Sequence, residues 1–395
     1  MKILFMEWNS IGNRYIHDAV YSLRASGRKL DIEDFAFDNH IEIGNIEYEE
    51  KLKNKIREYG PDFVMSFNFW PVISKVCNNE GVKYVSWVYD NPAINLFSYT
   101  LINPGNYVFI FDSQLYEIFA GQGIKTVYYL PMAAAVDHYD KIFVSDAVRQ
   151  KWGGEIAFVG GLYTEGHNYY DDIKEKLSDY SRGYIEGLMN AQMEVYGINF
   201  IEKLIPERVL KEMVDVLGAK PGSDSVESYE YIYGNYVLNR KISAMERTQI
   251  LEMIGKKHQV NLFTRDRTYE AAGVNNRGRV DYYDEMPYVF KCTDINLNMT
   301  LRSIQTGIPQ RALDIMGCGG FLLTNYQSDM LRFFVPGEDY VYYEDRNDLI
   351  NKIDYYLEHK EERIAIAENG HKKVRQDHTY EQRLQMILDI VAPSA

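Results

Sequence analysis

The run Asn296-Leu-Asn-Met-Thr-Leu-Arg-Ser-Ile-Gln-Thr-Gly-Ile-Pro-Gln-Arg-Ala-Leu-Asp-Ile-Met-Gly-Cys-Gly-Gly-Phe-Leu-Leu-Thr-Asn325 reads as a strand, a loop, a short helix, a glycine stop and a second strand. A strand, a helical crossover and another strand form the unit of a parallel sheet, so this stretch sets the class as α/β. Gly307 allows a sharp turn, and Pro309 suits the first helical position, where its missing N–H costs nothing. A helix over Pro309–Met316 is therefore expected to start abruptly, with its free N–H groups facing the loop. Arg302 before the turn and Arg311 inside the helix bring two guanidinium groups to that positive helix end, which suits a diphosphate. Asp314 lies on the face of Arg311, placed to accept hydrogen bonds from sugar hydroxyls. The Arg311–Asp314 spacing equally fits a plain i, i+3 ion pair worth about 0.2–0.5 kcal/mol. Asn296, Asn298 and Arg302 alternate out of the buried strand, toward either a ligand or an internal network that tethers the loop.

Working outward, the first ~150 residues alternate short apolar runs with polar helical stretches, the signature of a parallel sheet covered by helices. Strands are expected at Lys2–Met6, Leu30–Phe35, Asp62–Phe67, Tyr84–Val88, Tyr107–Phe111 and Thr126–Tyr129. Ligands of such sheets sit beyond the strands' carboxyl ends, which singles out the loops Glu7–Ser10, Phe67–Trp70 and Tyr89–Pro92. A second start at Glu155-Ile-Ala-Phe-Val-Gly-Gly-Leu-Tyr163 divides the chain into an N-terminal Rossmann-like domain over 1–150 and a second over 151–378. Residues 165–255 carry helical periodicity without a convincing strand and read as a helical insertion in the second domain. Further strands are expected at Gln259–Phe263, Gly278–Val280, Ile295–Met299, Gly320–Thr324 and Tyr340–Tyr343, with a terminal helix in 379–395.

The chain has 395 residues, 46% hydrophobic and 25% charged, an ordinary globular composition. A formal charge of -14 argues against nonspecific nucleic-acid binding and against a polybasic membrane anchor. Cys77, Cys292 and Cys318 are far apart in apolar or small-residue company and read as reduced core residues. The start of the chain is too short an apolar stretch for a signal peptide, and no run reaches the ~20 residues that span a bilayer, so a cytoplasmic protein without a transmembrane segment is expected.

Common motifs are missing. There is no Walker loop, no Gly-x-Gly-x-x-Gly after the first strand, no Gly-x-Ser-x-Gly elbow and no His-Glu-x-x-His pair. An Asp-x-Asp, which would hold a divalent metal on a donor diphosphate, is missing too. Arginines and helix dipoles would then neutralise the diphosphate, with no metal. His17 and His138 could reach the ligand crevice, but lone histidines are more often solvated or core-satisfied, and neither is a first choice.

The run Gly307-Ile-Pro-Gln-Arg-Ala-Leu-Asp-Ile-Met-Gly-Cys-Gly-Gly-Phe-Leu-Leu-Thr324 resembles the donor-site signature of the CgeB-like (DUF3880-type) glycosyltransferases, a bacterial branch of the two-Rossmann-domain GT-B enzymes. The likeness continues through Phe334-Val-Pro-Gly-Glu-Asp339 and Ala367-Glu-Asn-Gly-His371. The resemblance implies a GT-B fold, two Rossmann-like domains facing across a cleft, with the terminal helix crossing back to the first. It also implies transfer of a sugar from a UDP-, GDP- or dTDP-linked donor to a protein, glycan or other cell-surface acceptor. Gly160, Gly161 and Tyr163 would face the diphosphate, beside Arg265, Arg302 and Arg311; Arg265 equally fits a pair with Asp266 or Glu252. Gly278–Tyr283 would lie against the nucleobase. Asn298 and Asp314 complete the expected donor set.

Related retaining enzymes often carry Glu-x₇-Glu on the donor helix; aligning Asp314 with the second acid puts Thr306 at the first. Stereochemistry therefore stays open. An inverting reaction needs a base from the first domain, and Asp90 in Trp87-Val-Tyr-Asp-Asn-Pro92 is the first candidate, Asp112 the second. Asp90 fits an Asx-turn cap ahead of Pro92 equally well. Two rival readings are a noncatalytic sugar-nucleotide-binding or assembly relative and a sugar-nucleotide epimerase.

Overall fold

The computed structural model describes residues 1–8, 10–164 and 168–392. Asn9 of the first named loop, residues 165–167 at the head of the expected insertion, and residues 393–395 lie outside the described residues.

The chain folds as two compact units. The first holds a six-stranded sheet in the order β2-β1-β3-β4-β5-β6, with β1 Lys2–Glu7, β2 Asp31–Ala36, β3 Phe63–Phe67, β4 Lys83–Val88, β5 Asn106–Ile110 and β6 Val127–Tyr129. Every pairing is parallel. Helices cover both faces, so β3 is buried at all five residues and reads as a continuous apolar run. Strand order reverses between β1 and β3, which opens a crevice at their carboxyl ends.

The second unit repeats the plan with β7 Gly154–Val159, β8 Val260–Phe263, β9 Val274–Asn276, β10 Thr293–Asn298, β11 Leu322–Asn325 and β12 Val341–Tyr343, ordered β12-β11-β10-β7-β8-β9. These pairings are parallel as well, and the switch point falls between β7 and β10. Eleven of the twelve strands lie where the apolar runs put them. The exception is β9, expected at Gly278–Val280 and found at Val274–Asn276. Gly278 has φ +75 and its N–H donates to Asn276 Oδ1 at 3.1 Å, so it turns the chain instead of extending it.

Between β7 and β8 run helices and turns, including a π-helical stretch Ile232–Leu238 that leads into the helix Asn239–Gly255. The compact units divide the chain at Ala133/Ala134, not at 150. The physical reason is that Ala134 and Tyr139 pack against Gly317, where an added Cβ would lie 2.8 Å from Ala134 Cβ. The insertion is not wholly of the second unit, since Pro221–Glu227 belongs to the first. Tyr99 N donates to Asp224 O at 2.8 Å, Val226 N to Phe97 O at 3.0 Å, and Ser98 Oγ to Asp224 Oδ2 at 2.7 Å. The chain from His378 also rejoins the first unit, where Tyr380 packs on Tyr15 with ring centroids 5.1 Å apart. Among the described residues no helix is long and apolar enough to cross a membrane.

Candidate functional site

In the second unit the loops after β7 and β10 flank the switch point, and one side chain joins them. Arg247 Nη1 donates to Gly161 O at 2.5 Å and Nη2 donates to Met299 O. Arg247 comes from the helix Asn239–Gly255, the crossover into β8, whose first turns lie beside the strands' carboxyl ends. The residue is 7% exposed, and its Nε is buried without a hydrogen-bond partner among the described residues. Its guanidinium lies over the Tyr163 ring at 4.8 Å, and Arg240 lies over the same ring at 5.1 Å. Arg240 Nε is likewise buried and has no partner among the described residues. Among the described residues neither arginine forms an ion pair: the adjacent carboxylate Glu246 is committed to Arg302, and Asp171 is taken by Lys241. Tyr163 has φ +61, a conformation costing a non-glycine residue about 1–3 kcal/mol and enriched at functional sites.

Gly160 and Gly161 reach this crevice, but the Gly160 N–H donates to Phe263 O at 3.0 Å, and an added Cβ would meet the Phe158 ring at 3.1 Å. The close turn serves strand packing, and Gly161 contributes its carbonyl to Arg247. Arg265, after β8, has an exposed side chain. It is not paired with Asp266, which accepts from Thr164 Oγ1 at 2.7 Å and Thr268 Oγ1 at 2.6 Å.

Four expected ligand contacts are built differently. Arg302 is 8% exposed and donates to Glu246 through Nε and Nη2, each at 2.8 Å, to Val195 O at 2.7 Å and to Met193 O at 3.2 Å. Burial opposes its charge, but Glu246 outweighs burial and holds its pKa above the ordinary value. Asn298, 4% exposed, donates its Nδ2 to Thr300 Oγ1 and Thr324 Oγ1, within the network that tethers the loop. The helix starts at Gln310, with Pro309 as its N-cap. Arg311 lies over the Tyr282 and Phe290 rings at 5.3 and 5.8 Å, on the side of the helix Met286–Cys292.

Asp314 is the fourth. It is fully buried and accepts from Tyr139 OH at 2.9 Å, Tyr282 OH at 2.5 Å and Gln310 Nε2 at 2.9 Å. Burial pushes its pKa up, and Arg311 and these donors offset part of the rise. Two outcomes follow. Asp314→Ala leaves buried donors without this acceptor and costs about 2–3 kcal/mol of stability, read from denaturant melts. Because the folded pKa is raised, the carboxyl's contribution is fully present below the unfolded pKa and is lost as pH rises through the folded one. The wild type therefore loses stability relative to Asp314→Asn across that window; a difference independent of pH refutes the assignment.

At Thr306 the hydroxyl lies 3.4 Å from Asp329 Oδ2, and Asp329 N donates to Thr306 O at 3.0 Å. A carboxylate from the turn after β11 thus stands beside the position where the acid is missing from the helix motif.

The three loops picked out in the first unit converge at its switch point. Asn68, at φ +59, accepts from Tyr89 N at 3.0 Å and Asp90 N at 3.1 Å through Oδ1, and donates Nδ2 to Asp90 Oδ2 at 2.7 Å. Trp8 and Trp70 both donate their indole N–H to Phe67 O, with rings 5.5 Å apart. Solvent reaches the Asp90 carboxylate, yet the surrounding protein excludes enough water to push its pKa above the ordinary aspartate value, and Asn68 offsets part of that rise. Asp112, by contrast, is fully buried and caps the helix Ser113–Ala120 by accepting from Gln114 and Leu115 N–H. His17 pairs with Asp34 at 3.1 Å, and His138 bonds to Tyr283 O at 3.0 Å.

Residues 241–389 match the profile of a family described as glycosyl transferase-like. An uncharacterized protein of Aquifex aeolicus (strain VF5) is 22% identical, over 99% of this chain and 96% of its own length. Among solved structures, the sucrose-phosphate synthase of Thermosynechococcus elongatus superposes with a TM-score of 0.56 at 11% identity, covering 98% of this chain and 97% of its own. Anabaena HepE in complex with UDP-glucose superposes with a TM-score of 0.54 at 11% identity over 100% of both chains. The fold of the chain is GT-B, built of two Rossmann-like units.

Proposed function

We propose that this protein is a glycosyltransferase whose second unit binds a nucleoside-diphosphate sugar and whose first unit binds the acceptor. One observation carries the reading: Arg247 and Arg240 lie at the switch point of the second sheet, with no carboxylate partner among the described residues. Burying an ion costs several kcal/mol, and two carbonyl dipoles offset only part of that. A diphosphate supplies the missing charge. Support also comes from the match over 241–389 and from the fold that HepE, solved with UDP-glucose, shares.

In this reading the bond from the anomeric carbon to the diphosphate oxygen breaks while an acceptor hydroxyl bonds to that carbon. Arg247 and Arg240 stabilise the charge that develops on the departing diphosphate, with Arg265 at the rim, so the guanidinium groups do the work of a metal ion. Asp90 takes the acceptor proton, held in place by Asn68. Arg302, Arg311 and Asp314 act by shaping the donor helix and its loop. The acceptor is a protein, glycan or other cell-surface hydroxyl compound, and the protein acts in the cytoplasm.

A thermal-shift panel of UDP-, GDP- and dTDP-sugars tests this directly. A donor present at a hundred times its dissociation constant adds about 2.7 kcal/mol of stability, so one base of the panel raises the melting temperature. Failure of the whole panel removes the donor site. Acceptor-dependent release of the nucleoside diphosphate then separates a transferase from an epimerase or a noncatalytic binder.

A further inference from the structure

Resting on the donor reading above, we infer that the buried Arg302–Glu246 pair is a positioning device: it registers the helix Asn239–Gly255 against the β10 loop so that Arg247 is held in the crevice. Arg302 then serves diphosphate binding without touching the diphosphate.

Ser243, Glu246 and Arg247 lie within one turn or so of that helix, and each bonds to the segment Met299–Arg302. Ser243 Oγ accepts from Arg302 N at 2.9 Å. Glu246, 2% exposed, takes the Arg302 fork through both oxygens. Arg247 reaches Met299 O. Nε, Nη1 and Nη2 of Arg302 are all engaged inside the unit. The outer side is closed by residues 193–199: Tyr196 OH donates to Glu246 Oε1 at 2.5 Å, its ring lies 4.3 Å from the Arg302 guanidinium, and Asn199 Nδ2 donates to Arg302 O at 2.9 Å.

A buried ion pair is seldom more stabilising than apolar side chains of the same volume, and setting register is the best-attested use for one. Register matters here because a slip of one residue turns a helix by about 100° and would carry Arg247 out of the crevice.

The test turns on a sign. Were Arg302 a phosphate ligand, Glu246→Gln would free it and remove a nearby negative charge, so binding would tighten. As a positioning pair, Glu246→Gln and Arg302→Met each weaken binding of UDP, GDP or dTDP, whichever the wild type binds, by about fivefold or more, and the double variant Arg302→Met/Glu246→Leu is no weaker than the worse single, since both break one register. Donor KM rises by the same factor with kcat little changed; a merely structural role lowers the active fraction and hence kcat at constant KM.

Glu246→Gln keeps an acceptor for Arg302 and the shape of the site, so, once a thermal melt shows it folded, it decides the matter if Arg302→Met does not fold. Tighter or unchanged binding in Glu246→Gln, or a fall in kcat at constant KM, overturns the inference while Arg247→Met still weakens binding. Unchanged binding in Arg247→Met as well overturns the donor reading beneath it.

Discussion

Arg247→Met loses about 2–3 kcal/mol of nucleoside-diphosphate affinity, roughly 30- to 150-fold in the dissociation constant, through loss of charge-assisted bonds to phosphate. The apo protein should tolerate the change better than its burial suggests. Methionine fills the space of the aliphatic stem, and the substitution removes an ion that has no counter-charge among the described residues. Set against that gain are the charge-assisted bonds to Gly161 O and Met299 O, each worth about 1.5–3 kcal/mol net. The expected pattern is an apo melting temperature within a few degrees of wild type and a ligand-induced shift that vanishes. Arg247→Lys should fall between, since one ammonium keeps the charge but lacks the planar fork that spans two carbonyls and a phosphate. Calorimetry with UDP, GDP and dTDP measures both variants. Affinity in Arg247→Met within twofold of wild type would exclude Arg247 from the donor site.

That Arg247 was not legible in the sequence, while Arg302 was conspicuous, has a physical explanation. Arg302 and Arg311 sit close in sequence to a proline-initiated helix, and local spacing is what a sequence displays. Whether a guanidinium is free depends on partners far along the chain: Glu246 lies 56 residues from Arg302, and Met193 lies 109. Arg240 and Arg247 fell inside a helical stretch read as insertion, because their neighbour at the end of β7 is separated from them by the whole of that stretch. The usable signal was topological. The last helix before β8 must be the crossover that begins at the carboxyl ends of the strands, so its first turns face any ligand there. Asp314 shows the same limit, since its acceptors are filled by Tyr139 and Tyr282 from distant segments. Strand positions were far easier, because a strand buried on both faces declares itself as an apolar run, and β9 was misplaced because the edge strand Val-Asn-Asn has no such run. The loops at Trp8, Asn68 and Asp90 were legible by the same topological rule that would have found Arg247.

Asp90→Asn removes the proposed base without removing its scaffold, and acceptor-dependent release of nucleoside diphosphate should fall by about 10²-fold or more. Asparagine retains a carbonyl oxygen that can accept from Asn68 Nδ2, and the Asn68 bonds to the backbone N–H of residues 89 and 90 do not involve the altered group. The fold and donor affinity should therefore be unchanged, which separates this variant from Arg247→Met, where affinity is what changes. The pH profile adds an independent readout. A base is active when ionised, and the Asp90 pKa is raised by exclusion of water, so the acid limb of kcat/KM lies above the ordinary aspartate range and disappears from the residual activity of Asp90→Asn. Asn68→Ala removes the bond that favours the ionised carboxylate and moves the acid limb upward, at the added cost of holding alanine at φ +59. Turnover in Asp90→Asn within threefold of wild type, with the acid limb in place, would mean that the displacement proceeds without a base from the first unit, as a retaining reaction does.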